Sequence, residues 1–151
     1  MTLDEHLGVG RTITLGSHRF GAEEIKAFAR KFDPQPFHMD EKSAENSVFG
    51  GLCASGWHTA SMWMRYNVMV RSAGDGPGAE PEFGPSPGFR DLKWLKPVYA
   101  GETITFKRTV LGHRPLASRP GWRLMSVRAE AFDSTGDKVI EFESVVLVKA
   151  G

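Results

Sequence analysis

The sequence predicts an α+β fold in which a curved antiparallel β-sheet wraps around one long central helix. Three features carry this prediction: a long apolar segment of helical character at 57–71, a Gly- and Pro-rich break at 73–88, and a series of β-like segments after it. A sheet with one apolar face and a helix with many apolar residues can cover each other. The order of elements alone also allows other α+β folds.

Length and composition predict one globular domain, 1–151. The chain is 40% hydrophobic and 25% charged, and a chain of 151 residues is long enough to bury one core. Its 19 basic and 18 acidic residues give a formal charge of +1, so neither nucleic acid nor an anionic membrane is an expected partner. No apolar run is long enough to cross a bilayer. We expect no membrane association.

The redox and targeting features predict a cytoplasmic location. Cys53 is the single cysteine, so an intramolecular disulfide cannot form. The first ten residues lack the basic and apolar segments of a secretory signal.

The first elements are a short strand and an amphipathic helix. Polar and apolar residues alternate over 11–15, which predicts a strand, and 16–18 looks like the turn that closes it. Apolar residues then recur at helical spacing over 21–33. Pro34 disfavours helical geometry at Asp33, so the helix is expected to end there. The helix dipole at this end would make the Asp33 carboxylate more basic.

The middle of the chain predicts an ordered loop followed by the central helix. Two prolines and three glycines interrupt 34–56, with a short possible helix at 41–45. Residues 57–71 contain no Gly or Pro and are apolar on many sides, which predicts a largely buried helix. The segment 73–88 is expected to be irregular.

The second half predicts four antiparallel strands. They cover 89–99, 102–111, 122–132 and 139–148, with apolar residues alternating in places. Residues 133–137 have the composition of the hairpin turn between the last two strands. A long helix covered by such a sheet is the hot-dog arrangement.

The chemistry-bearing residues lie around the start of the central helix. Asp33 and His38 stand five positions apart on a turn stiffened by Pro34 and Pro36, which we expect at the surface. A glycine-bearing loop then leads to Gly56, where the helix begins. A helix N-terminus offers free N–H groups and the positive end of the dipole.

These groups suit the hydration of an α,β-unsaturated thioester. That reaction needs a base to activate water, an acid to protonate the α-carbon, and N–H donors for the enolate oxygen. The N–H of Gly56 is a suitable donor, because no side chain on its Cα obstructs close approach.

The chain resembles the MaoC-like, R-specific enoyl-CoA hydratase family. The resemblance spans nearly the whole chain and rests on DPQPFH at 33–38, on Asp40, on GGLCASG at 50–56 and on RDLKWLKPVYAGETI at 90–104. It implies a hot-dog fold and an acyl-CoA thioester as substrate, with no metal or redox cofactor. It also implies a homodimer or a higher homo-oligomer.

The resemblance implies a role for each site residue. Asp33 and His38 would bind and activate the catalytic water, and the Gly56 N–H would polarise the thioester carbonyl. Gln35 and Ser55 depart from the Asn and His usual in that family, and both are expected near the substrate. A pocket position that is polar in some relatives falls near Met64, which implies a more apolar acyl pocket.

Other polar residues are expected to be structural. We interpret His58 as a buried, hydrogen-bonded histidine and Cys53 as a small packing residue. The histidines show no metal-ligand spacing, so no metal site is predicted. Basic residues of the strands and loops are interpreted as a solvated face, although CoA phosphates could meet them; they are Lys93, Lys96, Arg108, Arg114, Arg119 and Arg123.

Two alternative functions remain open. A hot-dog thioesterase would need a carboxylate on the central helix, and 57–71 contains neither Asp nor Glu. A non-catalytic acyl-CoA binder is compatible with Gln35 and Ser55 in place of the usual residues, and it would bind ligand without turnover.

Overall fold

The computed structural model describes residues 2–74 and 81–149. Its helices and strands follow one another along the chain as α1 (Leu3–Leu7), β1 (Thr12–Arg19), α2 (Ala22–Phe32), a 3₁₀ turn (Pro36–His38), α3 (Glu41–Glu45), α4 (Gly56–Gly74), β2 (Glu82–Phe83), β3 (Gly88–Trp94), β4 (Thr103–Pro115), β5 (Trp122–Phe132) and β6 (Lys138–Lys149).

One antiparallel sheet contains all six described strands. Its order is β1-β4-β5-β6, and β2 and β3 both pair with the outer edge of β6. Apolar side chains of the sheet pack with Trp63 of α4 in one core. The predicted α+β fold, with an antiparallel sheet around the long helix, is confirmed.

Helix α4 is less buried than the sequence suggests. Thr59, Trp63 and Asn67 face the core, whereas Trp57 and Val68 on the opposite flank are 49% and 39% exposed. The sheet covers only one side of a helix in a single chain. The expectation of a largely buried helix is therefore wrong for this flank.

Strand β1 continues through the residues predicted to form a turn. The register of β1 against β4 shifts between Thr14 and Gly16, which marks a bulge, and pairing continues to Arg19. Gly16 adopts φ +151°, and a Cβ there would collide with the Tyr66 ring of α4. Gly16 therefore lets the strand pass close to the helix.

Strand β3 ends five residues before the predicted boundary. The backbone N–H of Leu95 still donates to Val139, but Pro97 lacks an N–H and cannot continue a ladder. The chain then turns to the loop before α4, where Val98 accepts a hydrogen bond from Ala54 and Tyr99 bridges to Cys53. This departure from β6 supports the approach to the candidate site.

The boundaries of β5 and β6 agree closely with the prediction, whereas β4 ends four residues later than expected. Strand β5 begins and ends where it was expected, and β6 is longer by one residue at each end. A bulge between Val110 and Gly112 lets β4 continue to Pro115. The predicted irregular segment contains the last two residues of α4, strand β2 and the first residue of β3, and its residues 75–80 lie outside the described part. No helix in the described ranges is both long and apolar enough to span a membrane.

Candidate active site

The end of α2 places Asp33 beside the loop that leads into α4. The Asp33 N–H completes the last helical turn by donating to Ala29, and Asp33 itself leaves helical geometry at φ −156°. Pro34 follows, so the predicted end of the helix is confirmed. Pro36 then opens the 3₁₀ turn that directs His38 inward.

The imidazole of His38 is buried and held in one tautomer. Its Nδ1 donates to the Cys53 carbonyl oxygen over 2.7 Å, and a carbonyl can only accept. Its Nε2 lies 3.5 Å from Oδ2 of Asp33. The turn lies at the surface as expected, with Pro34 and Pro36 exposed, but His38 itself is only 5% exposed, so the expectation is wrong for its side chain. The Cys53 loop and aromatic rings of Phe37 and Phe49 cover it.

Both carboxylate oxygens of Asp33 accept hydrogen bonds. The Gln35 amide donates to Oδ1 over 2.6 Å, and the Ser55 hydroxyl donates to Oδ2 over 2.7 Å. Partial burial raises the pKa of Asp33, but these two bonds and the charge of His38 outweigh it and lower the pKa below the ordinary value. The expectation of a more basic carboxylate is therefore wrong, because the two hydrogen bonds stabilise the ionised carboxylate.

Ser55 links this carboxylate to the first turn of α4. It is fully buried, and its Oγ also accepts a hydrogen bond from the Trp57 N–H over 3.3 Å. The Ser55 carbonyl accepts from the N–H groups of His58 and Thr59. Within the described residues, the Gly56 N–H has no acceptor. An unpaired N–H therefore stands at the helix N-terminus, next to the Asp33 and His38 pair.

Trp94 packs directly against Gly56. A Cβ at Gly56 would collide with the indole, so this position requires glycine for packing. The same indole makes an edge-to-face contact with Trp57 at 5.0 Å between centroids. This contact was not predictable from the sequence, because Trp94 reaches Gly56 only through the path of β3.

A cavity of about 250 Å³ opens between His38, Gly56 and Trp94. Thr59 and Val98 also line it, whereas Asp33 does not and is reached from it through His38. The structure thus joins Gln35 and Ser55 to Asp33 by hydrogen bonds, brings His38 within 3.5 Å of the same carboxylate and places Gly56 beside them. Their catalytic and substrate-binding roles stay predictions.

A second polar group connects α2 to α4 behind this site. Oε1 of Glu24 accepts from Nε2 of His58 at 3.0 Å and from Nε2 of His18 at 2.6 Å. Burial lowers the pKa of His58, which fits a neutral ring whose bare Nδ1 has no described partner. The interpretation of His58 as a buried, hydrogen-bonded histidine is confirmed. The contacts of Glu24 with the two histidines were not predicted, because the sequence indicated only a favourable interaction of this carboxylate with the helix dipole.

An apolar groove runs along α4 beyond the cavity. Its volume is about 230 Å³, and Ala60 and Met64 of the helix face Phe89 of β3 and Phe142 of β6 across it. Met64 thus lines an apolar space, as its position in the sequence implied. In the described ranges, no three His, Cys, Asp or Glu side chains are grouped as metal ligands.

The chain is similar to known proteins along most of its length. A family model described as "MaoC like domain" matches residues 3–121. The uncharacterized protein YdeM of Bacillus subtilis (strain 168) is 29% identical over 149 residues, and the match covers 99% of each chain.

Two solved structures extend the comparison. The MaoC-like dehydratase of Rhodospirillum rubrum is 36% identical, with a TM-score of 0.83 over 100% of this chain and 98% of that one. The (R)-hydratase of A. caviae involved in PHA biosynthesis is 25% identical, with a TM-score of 0.68 over 91% of this chain and 94% of that one. These neighbours confirm the predicted hot-dog fold.

Proposed function

The chain belongs to the MaoC-like domain family, and from this premise we propose that it adds water to the double bond of an enoyl thioester, or removes water from a 3-hydroxyacyl thioester. The observation that carries this proposal is the pair of the buried His38 and the partly buried Asp33 beside the unpaired N–H of Gly56. A base, a proton donor and an oxyanion donor are what the reaction needs.

The water would bind between Asp33 and His38. With its proton on Nδ1, His38 presents a lone pair on Nε2, and Oδ2 of Asp33 lies 3.5 Å from it. Two acceptors at this separation can each accept one hydrogen of the same water molecule. The water oxygen keeps its lone pairs for attack on the β-carbon.

The proton would move through His38 while Asp33 remains ionised. As the water oxygen bonds to the β-carbon, Nε2 of His38 takes one water proton. The π electrons shift onto the α-carbon and the thioester oxygen, and the α-carbon then takes the proton back from Nε2. The lowered pKa of Asp33 suits a carboxylate that stabilises the imidazolium in between.

The Gly56 N–H would hold the thioester oxygen as negative charge develops there. A preorganised donor of this kind contributes about 3 to 4 kcal/mol to such a transition state. In this scheme Gln35 and Ser55 act through Asp33, because both donate to its carboxylate. The finer assignments are an acyl-CoA substrate, an R-configured alcohol and no cofactor, and they follow from the family resemblance.

A second copy of this chain would complete the molecule. One flank of α4 and the neighbouring strand β3 expose large apolar side chains, among them Trp57, Val68 and Phe89. Within the described residues, β3 pairs with β6 on one edge only. A homodimer formed along this surface would cover both features. The buried, unpaired Cys53 suits the proposed cytoplasmic location.

The test is hydration of crotonyl-CoA, followed by loss of the absorbance of the conjugated thioester. We expect turnover by the wild type, and Asp33→Asn and His38→Gln should each lower kcat at least a hundredfold. Chiral analysis of the product should give the R alcohol.

Glu23→Gln is the matched control for this experiment. It removes a carboxylate from the same helix, where the Glu23 side chain is 87% exposed, and turnover should not change. Equal rates in Asp33→Asn and the wild type, with equal melting temperatures, would contradict the assignment. Binding of enoyl-CoA esters of several lengths without turnover would favour the non-catalytic binder, and release of free CoA would favour the thioesterase.

A further inference from the structure

Arg108 occupies a position of β4 where the alternating pattern calls for an apolar side chain. Ile104, Phe106 and Val110 stand two and four residues away on the same face of the strand, and all three are buried in the core. Arg108 itself lines a cavity of about 110 Å³ between α4 and the sheet. The interpretation of this residue as part of a solvated face is therefore wrong.

The charge of Arg108 is poorly compensated. Its Nη1 donates to the Asn67 side-chain oxygen over 2.6 Å, but its Nε is buried without a partner. No carboxylate in residues 2–74 or 81–149 forms an ion pair with it. Burial and the nearby positive charge of Arg71 both lower the pKa of its guanidinium. A cation in such a place is costly unless an anion accompanies it.

The cavity at Arg108 continues the apolar groove that begins near the candidate active site. Gly56, Ala60, Met64, Asn67 and Arg71 follow one another at spacings of four, four, three and four residues, which places them along one flank of α4. Ala60 and Met64 line the groove, and Met64, Asn67 and Arg71 line the cavity.

Strand β6 follows the same path on the opposite wall. Phe142 lines the groove, and Ser144 and Val146 line the cavity. These residues alternate on one face of β6, so the groove and the cavity lie along one continuous surface. The surface is apolar near Gly56 and becomes polar where the hydroxyls of Ser86 and Ser144 and the guanidinium of Arg108 face the cavity.

We propose that the Arg108 cavity binds an acidic group, preferably a carboxylate, at the far end of the acyl chain of the substrate. The inference rests on the proposed function, because it takes the thioester to lie at Gly56. An apolar chain would occupy the groove, and its terminal carboxylate would compensate the buried guanidinium by charge-assisted hydrogen bonds. The substrate class is then an acyl thioester with an ω-carboxyl group.

The distance along α4 from Gly56 to Asn67 indicates how long that acyl chain must be. Eleven residues separate Gly56 from Asn67, which corresponds to about 16 Å along the axis. An extended chain advances roughly 1.2 Å per bond, as the dimensions of an extended polypeptide show. The acidic group should therefore suit a chain of about 14 carbons and not a short one.

The experiment compares the binding of two saturated thioesters by calorimetry, tetradecanedioyl-CoA with one free carboxylate and tetradecanoyl-CoA. Neither can be hydrated, so the measurement does not depend on turnover. The wild type should bind the ω-carboxyl thioester at least tenfold more tightly. Succinyl-CoA should show no such advantage over butyryl-CoA, because its carboxylate does not reach Arg108.

Arg108→Met should remove the preference between the two long thioesters, and Arg108→Gln should remove it too while keeping a polar side chain. Arg128→Met is the matched control, since it makes the same change at an exposed position of β5, and the preference should persist. Equal binding of both long thioesters by the wild type, or a preference retained by both Arg108 variants, would overturn the proposal. A preference without turnover of either crotonyl-CoA or trans-2-tetradecenoyl-CoA would leave the acidic site in place and reject the hydratase.

Discussion

At the scale of single residues, Ser55 helps Gln35 to keep the proposed catalytic carboxylate ionised. Its hydroxyl is one of two donors to Asp33, and these donors are the main reason why the pKa of Asp33 is lowered despite burial. The same Oγ accepts the Trp57 N–H, so the carboxylate is tied directly to the start of α4. Ser55 therefore acts on the site through Asp33.

Removal of this hydroxyl should raise the pKa of Asp33. Without the Ser55 donor, the ionised carboxylate loses a hydrogen bond, while the burial that disfavours ionisation remains. In a ¹³C NMR titration of the Asp33 carboxyl carbon, the wild type should titrate below the ordinary value of 3.8. Ser55→Ala should titrate at higher pH.

Ser61→Ala serves as the control, because the Ser61 hydroxyl donates only to the Trp57 carbonyl on the exposed side of α4. Its Asp33 titration should match the wild type. If Ser55→Ala gave an unchanged midpoint, the hydrogen bond to Asp33 would have no influence on ionisation.

The site residues were predictable from the sequence where the signal was local. Pro34 and the spacing to Gly56 indicated that Asp33, His38 and Gly56 could meet, and the structure brings them together. The hydrogen bond from Ser55 was not predictable, because Ser55 reaches Asp33 only after two loops pack, whereas the bond from Gln35 is local to the turn. The contact of Trp94 with Gly56 was missed for the same reason.

At the scale of elements, the hairpin between β5 and β6 depends on one buried carboxylate. The Asp133 side chain is only 2% exposed, accepts hydrogen bonds from the Thr135 N–H and hydroxyl and the Asp137 N–H, and pairs with Lys96 at 2.6 Å. The Lys96 ammonium is the largest of the effects that hold the pKa of Asp133 well below its usual range. The same ion pair ties the segment after β3 to this turn.

Acid should therefore weaken the fold through this hairpin. A carboxyl whose folded-state pKa is depressed contributes stability above its unfolded value, about 4, and that contribution is lost as pH falls toward the folded value. The melting temperature of the wild type should fall more steeply below about pH 4 than that of Asp133→Asn. At neutral pH the variant should melt several degrees lower.

Asp137→Asn is the appropriate comparison, since its side chain is 65% exposed and shares the same lysine. Its melting temperature should differ little from the wild type. A parallel acid profile for Asp133→Asn and the wild type would show that this turn does not carry the acid sensitivity.

The ends of helices and strands were predicted well where nearby turn residues mark them, and poorly where tertiary contacts determine them. The 122–132 strand and the hairpin after it have clear alternation and turn residues. Gly16 was interpreted as part of a turn. A glycine is needed there because the ring of Tyr66 packs against it, and Tyr66 belongs to a helix 50 residues later in the chain. The predicted end of β3 was five residues too late, because the alternation of apolar residues does not reveal where a strand stops pairing with its neighbour.

At the scale of the whole molecule, the exposed flank of α4 is the surface on which we propose that a second copy of the chain packs. Val68 lies on this flank with Trp57, which packs against Trp94 of β3, and the outer edge of β3 has no partner strand among the described residues. The sequence predicted a homo-oligomer only through the family resemblance. The structure adds a surface on which two copies could meet.

A charge placed on this surface should prevent association. Val68→Glu should change the mass in light scattering from that of two chains to that of one, because a carboxylate would be buried without a partner. Val48→Glu introduces the same side chain at a position that is 96% exposed on a loop, and this variant should remain dimeric. A monomeric wild type, or a dimeric Val68→Glu, would contradict the proposed interface.

Cys53 is a natural probe of local unfolding. Its thiol is buried, burial raises its pKa to about 11, and its backbone carbonyl holds His38. An alkylating reagent reacts with the thiolate, so iodoacetamide can modify Cys53 only in those moments when the loop before α4 comes apart. The rate of alkylation therefore reports how often the proposed active site loses its architecture while the rest of the chain stays folded.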